Sequence, residues 1–527
     1  MEINSRTTKV MKNSLVSFVV QILIILLGFV NRKVFVMYLD IELLGYNNLF
    51  ANIFQLLNVT ELGMGGIITF HLYKAFAEND EKEITKLMYL YRYVYRVIGL
   101  IVLVLGSAIY FFLPYIIKGE NYDWHFIHVI YLIQLAGTVS GYFLSYMRTM
   151  FTTDQMEYKI IGADFVSKLL TCILQIAIII ILKNYIVYLV IATTTTILAN
   201  VFITIATYRH YKYLHNKVKV TRDDVSRWNI VKDVKNLMIQ KVVGYFNGGA
   251  DNIIISMFCG IKNVALYGNY VLIQSNINNI FLYRLLNPIQ ASIGNYVYSD
   301  IAEEQQKRTF FMLDMFCVWI ASFEMAGFFL FYQPFISLWL GSEFLLAEPF
   351  VITFAFSSYL CLSNEMVFKY RCTIGEYDKD RNWMCLAAII NISLSVVLCK
   401  FLGAIDPQLG MFGVQLGTVF SYFPIFWGRI KLVIEGMFKL SNGAYVWDHV
   451  KSGILEVVEC VIMYFGAKYV GKGALNIVFR VFLFISVPLL FNWLYYRKRQ
   501  DYKDMVIYIK KVFVIAKNKI LHRNEVN

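Results

Sequence analysis

Several charged side chains stand inside long apolar runs of this sequence, and these are the residues whose types and spacing could do chemistry. Arg32 and Lys33 are adjacent, late in the first run. On a helix they point about 100° apart, so at most one of them faces a common cavity squarely. Arg32 offers a planar fork suited to phosphate or diphosphate; the structural alternative is that both snorkel to lipid headgroups. Lys241 and Asp251 lie ten residues apart, close to three helical turns, and so roughly share a face. Lys241 would add a cation to a diphosphate site, or else sit as a topology charge at the mouth of its span. Glu61, Asp164, Asp314, Glu324 and Glu365 are acids at or near membrane depth. Such groups either carry a proton or sodium ion, or hydrogen-bond one helix to the next. Glu61 leads for ion coupling, because Gly63, Gly65 and Gly66 follow it and loosen the helix locally; Glu324 and Glu365 come next. Lys168, one turn from Asp164, would neutralise it.

The elements that must position these charges are membrane helices. Of 527 residues, 58% are hydrophobic and 16% charged, against about 25% charged in soluble domains, and the mean hydropathy is +0.55. Runs of about 20 apolar residues recur along the whole length. The expected fold is an all-α integral membrane protein of about 14 transmembrane helices, near 14–38, 44–71, 93–117, 126–147, 160–182, 186–207, 237–258, 264–283, 309–332, 349–367, 383–402, 410–428, 453–471 and 474–495. The first run lacks a small-residue cleavage site and should remain as the first span. The net charge of +13 does not mark a nucleic-acid binder, because the basic residues alternate between loops. Of the 49 Lys and Arg, the odd-numbered loops hold only Lys118, Lys183, Lys262, Lys400, Lys468 and Lys472. That bias puts both termini in the cytoplasm, in a cell membrane.

No enzyme motif and no cofactor site is legible. The eight cysteines form no CxxC pair and read as small buried hydrophobes. Asp123, His125 and His128 sit at metal-like spacing in one loop, too weak a signal for a metal site.

The chain repeats itself. The stretch FFLPYIIKGENY, from Phe111 to Tyr122, is echoed by FYQPFISLWLGSEF, from Phe331 to Phe344. Pro114 maps to Pro334 with a shift of 220, Arg148 to Arg371 with 223, and Ala77-Glu78 to Ala302-Glu303 with 225. Gly45-Tyr46-Asn47 resembles Tyr267-Gly268-Asn269. A nearly constant offset implies two six-helix lobes, 1–207 and 237–430, related by a parallel pseudo-two-fold with a substrate path between them. A basic linker, 208–236, joins them; two more helices, 431–495, and a basic amphipathic tail, 496–527, follow. Val225, Trp228, Val231 and Val234 in the linker recur near helical spacing, as do Val506, Ile509, Phe513 and Ile520 in the tail. Both segments suit anionic inner-leaflet lipid.

With those residues in hand, the chain resembles the oligosaccharide flippase and polysaccharide transporter family of the multidrug/oligosaccharidyl-lipid/polysaccharide exporter superfamily. The resemblance rests on Arg32, Glu61-Leu62-Gly63, the run from Asp251 to Ser256, and Pro334-Phe335-Ile336 leading to Leu338-Trp339-Leu340-Gly341. Glu61 stands where family members often carry Asp, a departure that bears on any coupling role. The resemblance implies alternating access of two lobes. It also implies transport of a lipid-diphosphate-linked oligosaccharide from inner to outer leaflet, for capsule, O-antigen-like or other exported polysaccharide. Arg32, Lys33 and Lys241 would then bind diphosphate, and Asp251 would pair with Arg32 in one state. Other polysaccharide-assembly proteins are expected partners. The alternatives are an ion-coupled drug or small-molecule exporter of the same architecture, and a membrane enzyme of polysaccharide assembly: a polymerase, ligase or acyltransferase. The short outer loops and the six-span duplication favour transport.

Overall fold

The structure is a computed structural model. It describes residues 2–511 apart from 59–63, 120–121, 217, 222, 225–227, 229–242, 247–248, 287–288, 291–292, 295–296, 298–301, 375–376 and 470–472, with the side chains of 2–17, 64, 283–285, 377–378 and 474 also outside the description. The described chain is helical. In order come α1 (Glu2–Tyr38), α2 (Ile41–Asn58), α3 (Met64–Ala77), α4 (Glu81–Ile116), α5 (Trp124–Leu144), α6 (Arg148–Thr153), α7 (Glu157–Leu182), α8 (Tyr185–His210), α9 (Asp251–Cys259), α10 (Ile261–Asn278), α11 (Glu303–Trp339), α12 (Glu348–Ser363), α13 (Glu365–Ile374), α14 (Tyr377–Gly403), α15 (Pro407–Ile430), α16 (Asn442–Tyr469) and α17 (Ala474–Tyr496). A last helix, α18, runs over 500–511.

Among the described residues, ten helices are long and apolar enough to cross a membrane. Their outward faces are apolar where a soluble protein would be polar: Phe111 and Tyr115 on α4, Ile181 on α7 and Leu338 on α11 are all exposed, as a lipid-facing surface requires. The span expected over 44–71 is shared by α2 and α3, on either side of residues outside the description. The thirteenth expected span falls on α16, which breaks its apolar run with Glu456 and Glu459.

Local chemistry sets the helix ends. Asp80 caps α4 by accepting the Glu83 N–H at 2.9 Å. Asp123 caps α5 through the Phe126 N–H at 3.1 Å, and Asn184 caps α8 through the Val187 N–H at 3.2 Å. Asp123 is thus a helix cap, and His128 stacks on Tyr110. Pro114 and Pro334 both lie within the final turns of long helices, α4 and α11, where few i→i−4 bonds remain to be lost.

The chain divides into two compact units: Met1–Gly268 with Cys399–Gly410, and Asn269–Leu398 with Met411–Asn527. In the first, α1 packs along α7, and α5 along both α4 and α8. Part of the linker docks there. Lys86 of α4 meets Asp224 at 2.7 Å, and the Trp228 indole donates to Glu83 at 2.9 Å. Trp228 is therefore buried against α4 rather than spread on a membrane surface; the other linker apolar residues lie outside the description. In the second unit, α11 packs on α12, α16 and α17. The tail helix α18 is pinned to α11 by Arg308 and Asp504 and by a cluster of Met315, Val318, Tyr496 and Met505. Val506 and Ile509, two of the four apolar tail residues, pack against that cluster; Phe513 and Ile520 are outside the description.

Candidate functional site: an amide-rich seam beside Arg32

Arg32 stands where α1 meets α7 and α8. Its neighbour Asn31 donates to Gln175 at 2.8 Å and to the Tyr188 hydroxyl at 3.2 Å. Gln175 in turn donates to the Tyr188 carbonyl at 3.2 Å. Phe35, one turn on, is enclosed edge-on by Tyr185 and Tyr188. These contacts fix the face of α1 and turn the Arg32 guanidinium toward α10: a Cβ on Gly268 would lie 3.5 Å from its Nη2. Lys33 is half-buried on the adjacent face.

Next to Arg32, α2 crosses the segment that carries α9 and α10, and the crossing is very close. A Cβ on Gly45 would come 2.2 Å from the Ile261 carbonyl oxygen, and one on Gly268 would come 2.1 Å from Asn48 Nδ2. Two glycines, one on each side, thus make the approach possible. Amides line it. Asn48 donates to the Val264 carbonyl at 3.4 Å, and Asn52, one turn on, donates to the Gly249 carbonyl at 3.2 Å. Asn252 donates to Asn52 Oδ1, and the Tyr245 hydroxyl donates to the Asn52 carbonyl at 2.9 Å. At the end of α4, the Lys118 ammonium reaches the Phe258 carbonyl at 2.8 Å, and its N–H the Ser256 carbonyl at 3.3 Å. Close by, Cys259 and Cys399 bring their sulfurs to 3.4 Å.

Asp251, the first residue of α9, is buried and accepts the Tyr267 hydroxyl at 2.6 Å. Arg32 abuts the following residue, Gly268. The two sequence-nominated charges therefore reach the same turn of α10, one through Tyr267 and one beside Gly268. Glu61 and Lys241 lie outside the described residues. Glu324 is buried on α11. Glu365 is buried in an ion pair with Lys369 at 3.1 Å. Asp164 pairs with Arg148 at 2.8 Å rather than with Lys168. Asp314 accepts the Tyr445 hydroxyl at 2.9 Å and lies 3.5 Å from His449.

The seam's amides carry no charge, so a search for intramembrane ions passes over them. Their signal was Asn48 and Asn52 one turn apart within an apolar run. In the second unit, a groove of about 560 Å³ is lined by Lys379, Trp383, Lys431 and Glu435. Gly428 admits the indole, since a Cβ there would meet Trp383 at 2.4 Å. In the sequence these lysines look like topology charges flanking spans. Among the described residues, no three His, Cys, Asp or Glu side chains converge as metal ligands.

The fold of this helical membrane protein is shared with solved membrane proteins. The fold matches that of the lipid II flippase MurJ in an inward closed conformation, with a TM-score of 0.65 at 15% identity, covering 93% of this chain and 99% of that one. It also matches an inward-facing multidrug resistance MATE family transporter of the MOP superfamily, with a TM-score of 0.53 at 15% identity, over 80% of this chain and 98% of that one. The chain belongs to the polysaccharide biosynthesis protein family, whose profile matches residues 10–286, just over half of its length. An uncharacterized membrane protein of Methanocaldococcus jannaschii is 22% identical over 259 residues, 45% of this chain; the match spans about half, 48%, of that relative's length.

Proposed function

We propose that the chain is a flippase that moves a lipid-diphosphate-linked oligosaccharide from the inner to the outer leaflet, for export of a cell-surface polysaccharide such as capsule or O-antigen. The observation that carries this reading is Arg32, an arginine inside a membrane helix beside a seam of amides, in a chain of the polysaccharide biosynthesis protein family. A hydrated diphosphate cannot enter about 30 Å of hydrocarbon unaided. A guanidinium fork replaces its water, and Lys33 and Lys241 add positive charge. Sugars follow through amides and aromatic faces, while the lipid tail stays in the bilayer.

In this reading the chain has fourteen spans, with six-helix lobes at 1–207 and 237–430, two further helices over 431–495, and both termini in the cytoplasm as the Lys/Arg bias supports. The α2–α9–α10 seam is then the outer gate, closed. Asp251 acts with Arg32 as a gating pair, released when substrate takes the guanidinium. Coupling to H⁺ or Na⁺ requires a buried carboxyl in the membrane; among the acids of the two lobes, Glu61 and Glu324 come before the already paired Glu365. Anionic inner-leaflet lipid meets the basic linker and tail, and polysaccharide-assembly enzymes supply the substrate.

The test is reconstitution with a fluorescent lipid-diphosphate oligosaccharide, scoring its protection from an external reagent. Movement that depends on the protein and on the diphosphate supports the reading. Movement of cationic dyes but not of lipid-linked sugar would establish the exporter alternative instead.

A further inference from the structure

Two carboxyl groups on α16 take no part in the seam or in the coupling candidates above. Glu456 and Glu459 stand three residues apart, on one face of the helix, with 1% and 0% of their surface exposed. This helix packs on α11 and α17. Glu456 is hydrogen-bonded to Ser322 of α11, whose oxygen also accepts from Asn492 Nδ2 of α17 at 2.9 Å. The rest of the cluster is rich in acceptors. Glu456 Oε1, both carboxyl oxygens of Glu459, and Asn492 Oδ1 are buried with no hydrogen-bond donor among the described residues. The Tyr359 hydroxyl of α12, also buried without a partner among them, is in electrostatic reach of both carboxyls.

The other titratable groups around the pair do not supply positive charge. Cys460 lies beside both acids on α16. Tyr496 of α17 is near Glu456 and spends its hydroxyl on Ser452 at 2.6 Å. Asp314 of α11 reaches only as far as Tyr359. Glu324 stands two residues from Ser322, about 200° around α11, and faces Tyr332 and Cys361 instead. Among the described residues, no Lys, Arg or His pairs with Glu456 or Glu459.

Two adjacent carboxylates in a dry interior cannot both hold their charge. A proton resolves this directly: it turns one acceptor into a donor, and the neighbouring carboxylate, the Asn492 oxygen or the Tyr359 oxygen can receive it. Among the described residues, no three His, Cys, Asp or Glu side chains converge here as metal ligands, and a hard cation takes about six or more oxygens. We propose that Glu456 and Glu459 form an exchangeable proton-binding site in the helices that follow the lobes, and that this proton is the ion coupled to transport. The binding half stands by itself; the coupling half rests on the flippase reading.

The binding half is read by infrared difference spectroscopy on the full-length protein in lipid, across a pH titration. The expected result is a carboxylic-acid C=O band that shifts in D2O, fades as pH rises, and is absent from an E456Q/E459Q variant, which keeps the volume of both residues and removes both ionisable groups. A band that persists in that variant, or one that never titrates, overturns the site. A band removed by sodium at constant pH assigns a metal cation and overturns the proton. The coupling half is read in vesicles with an imposed pH gradient: the wild type should move lipid-linked oligosaccharide severalfold faster with the gradient than without, and E456Q/E459Q should lose that response. Wild-type movement that ignores the gradient overturns coupling. No movement at all overturns the flippase reading and coupling with it, while the infrared band still decides the site.

Discussion

Asn252 donates its side-chain amide to the side-chain carbonyl of Asn52, 200 residues away in the chain. Through that bond and its neighbours, α2 and α9 share one polar seam, in which Asn48 and Asn52 donate in turn to backbone carbonyls. The seam yields the first prediction. Asn52→Leu removes the acceptor for Asn252 and the donor for Gly249, and leaving such groups buried and unpaired costs about 1–3 kcal/mol each. Amide exchange in α9 should therefore quicken by about tenfold or more, while α7, which has no part in the seam, exchanges as before. Equal exchange in α9 would show that the crossing is held by packing alone.

The paired arginines of the sequence repeat give a second. Arg148 binds Asp164 with side chains 25% and 38% exposed, whereas Arg371 and Asp380 are 3% and 1% exposed. Exposed ion pairs contribute about 0–1 kcal/mol; breaking a buried one costs about 3–5 kcal/mol. Arg148→Ala should lower the melting temperature slightly, and Arg371→Ala should lower it severely or prevent folding. Comparable small shifts in both would mean that water reaches Asp380. Arg371→Lys, which keeps the charge, should recover part of the loss.

Linker docking carries a pH dependence. Hydrogen bonding from Lys86, and then from Thr221, holds the Asp224 carboxyl well below the usual carboxylate range. A carboxyl depressed in this way stabilises the docked linker fully above its unfolded pKa, about 3.9, and the contribution is lost as pH falls below that value toward the folded one. At neutral pH the contact should be at full strength, so Asp224→Asn should expose residues 208–236 to protease there. Wild type should show the same cleavage only in strong acid. A wild-type linker cut equally at neutral and acidic pH would remove Asp224 from the docking.

Arg32 gives the functional prediction. Losing a charged hydrogen bond of about 1.5–3 kcal/mol should slow movement of a lipid-diphosphate oligosaccharide by tenfold or more in Arg32→Ala. Arg32→Lys should retain part of the rate, as a point charge without the fork. Normal transport by Arg32→Ala, in protein with an unchanged melting temperature, would detach the guanidinium from the substrate.

Much of the fold was legible in the sequence because hydrocarbon imposes simple rules. Long apolar runs became long helices, and Pro114 and Pro334 fell at matching ends of α4 and α11. The finer pairings were not legible. Asp164 has Lys168 one turn away, yet takes Arg148, whose Nη1 donates to both carboxylate oxygens while its Nε holds Asn200. Periodicity along one helix cannot weigh a donor that arrives from another. Trp228 looked amphipathic by spacing, but an indole N–H with the half-buried Glu83 carboxylate in reach hydrogen-bonds inward. In the candidate site, Arg32 and Asp251 announced themselves by charge in an apolar setting. Asn48, Asn52 and Asn252 did not, because an uncharged amide is common in membrane helices and only its partners reveal its use.

The sulfurs of Cys259 and Cys399 lie 3.4 Å apart, and the backbone closes on them: a Cβ on Gly410 would come 2.4 Å from Cys259 Sγ. No bulky reagent fits there while α9 and α14 remain together. With the other six cysteines replaced, the rate at which a maleimide tags this pair becomes a stopwatch for their separation. The chain thus carries its own reporter of motion at this place, and timing it requires no engineered thiol.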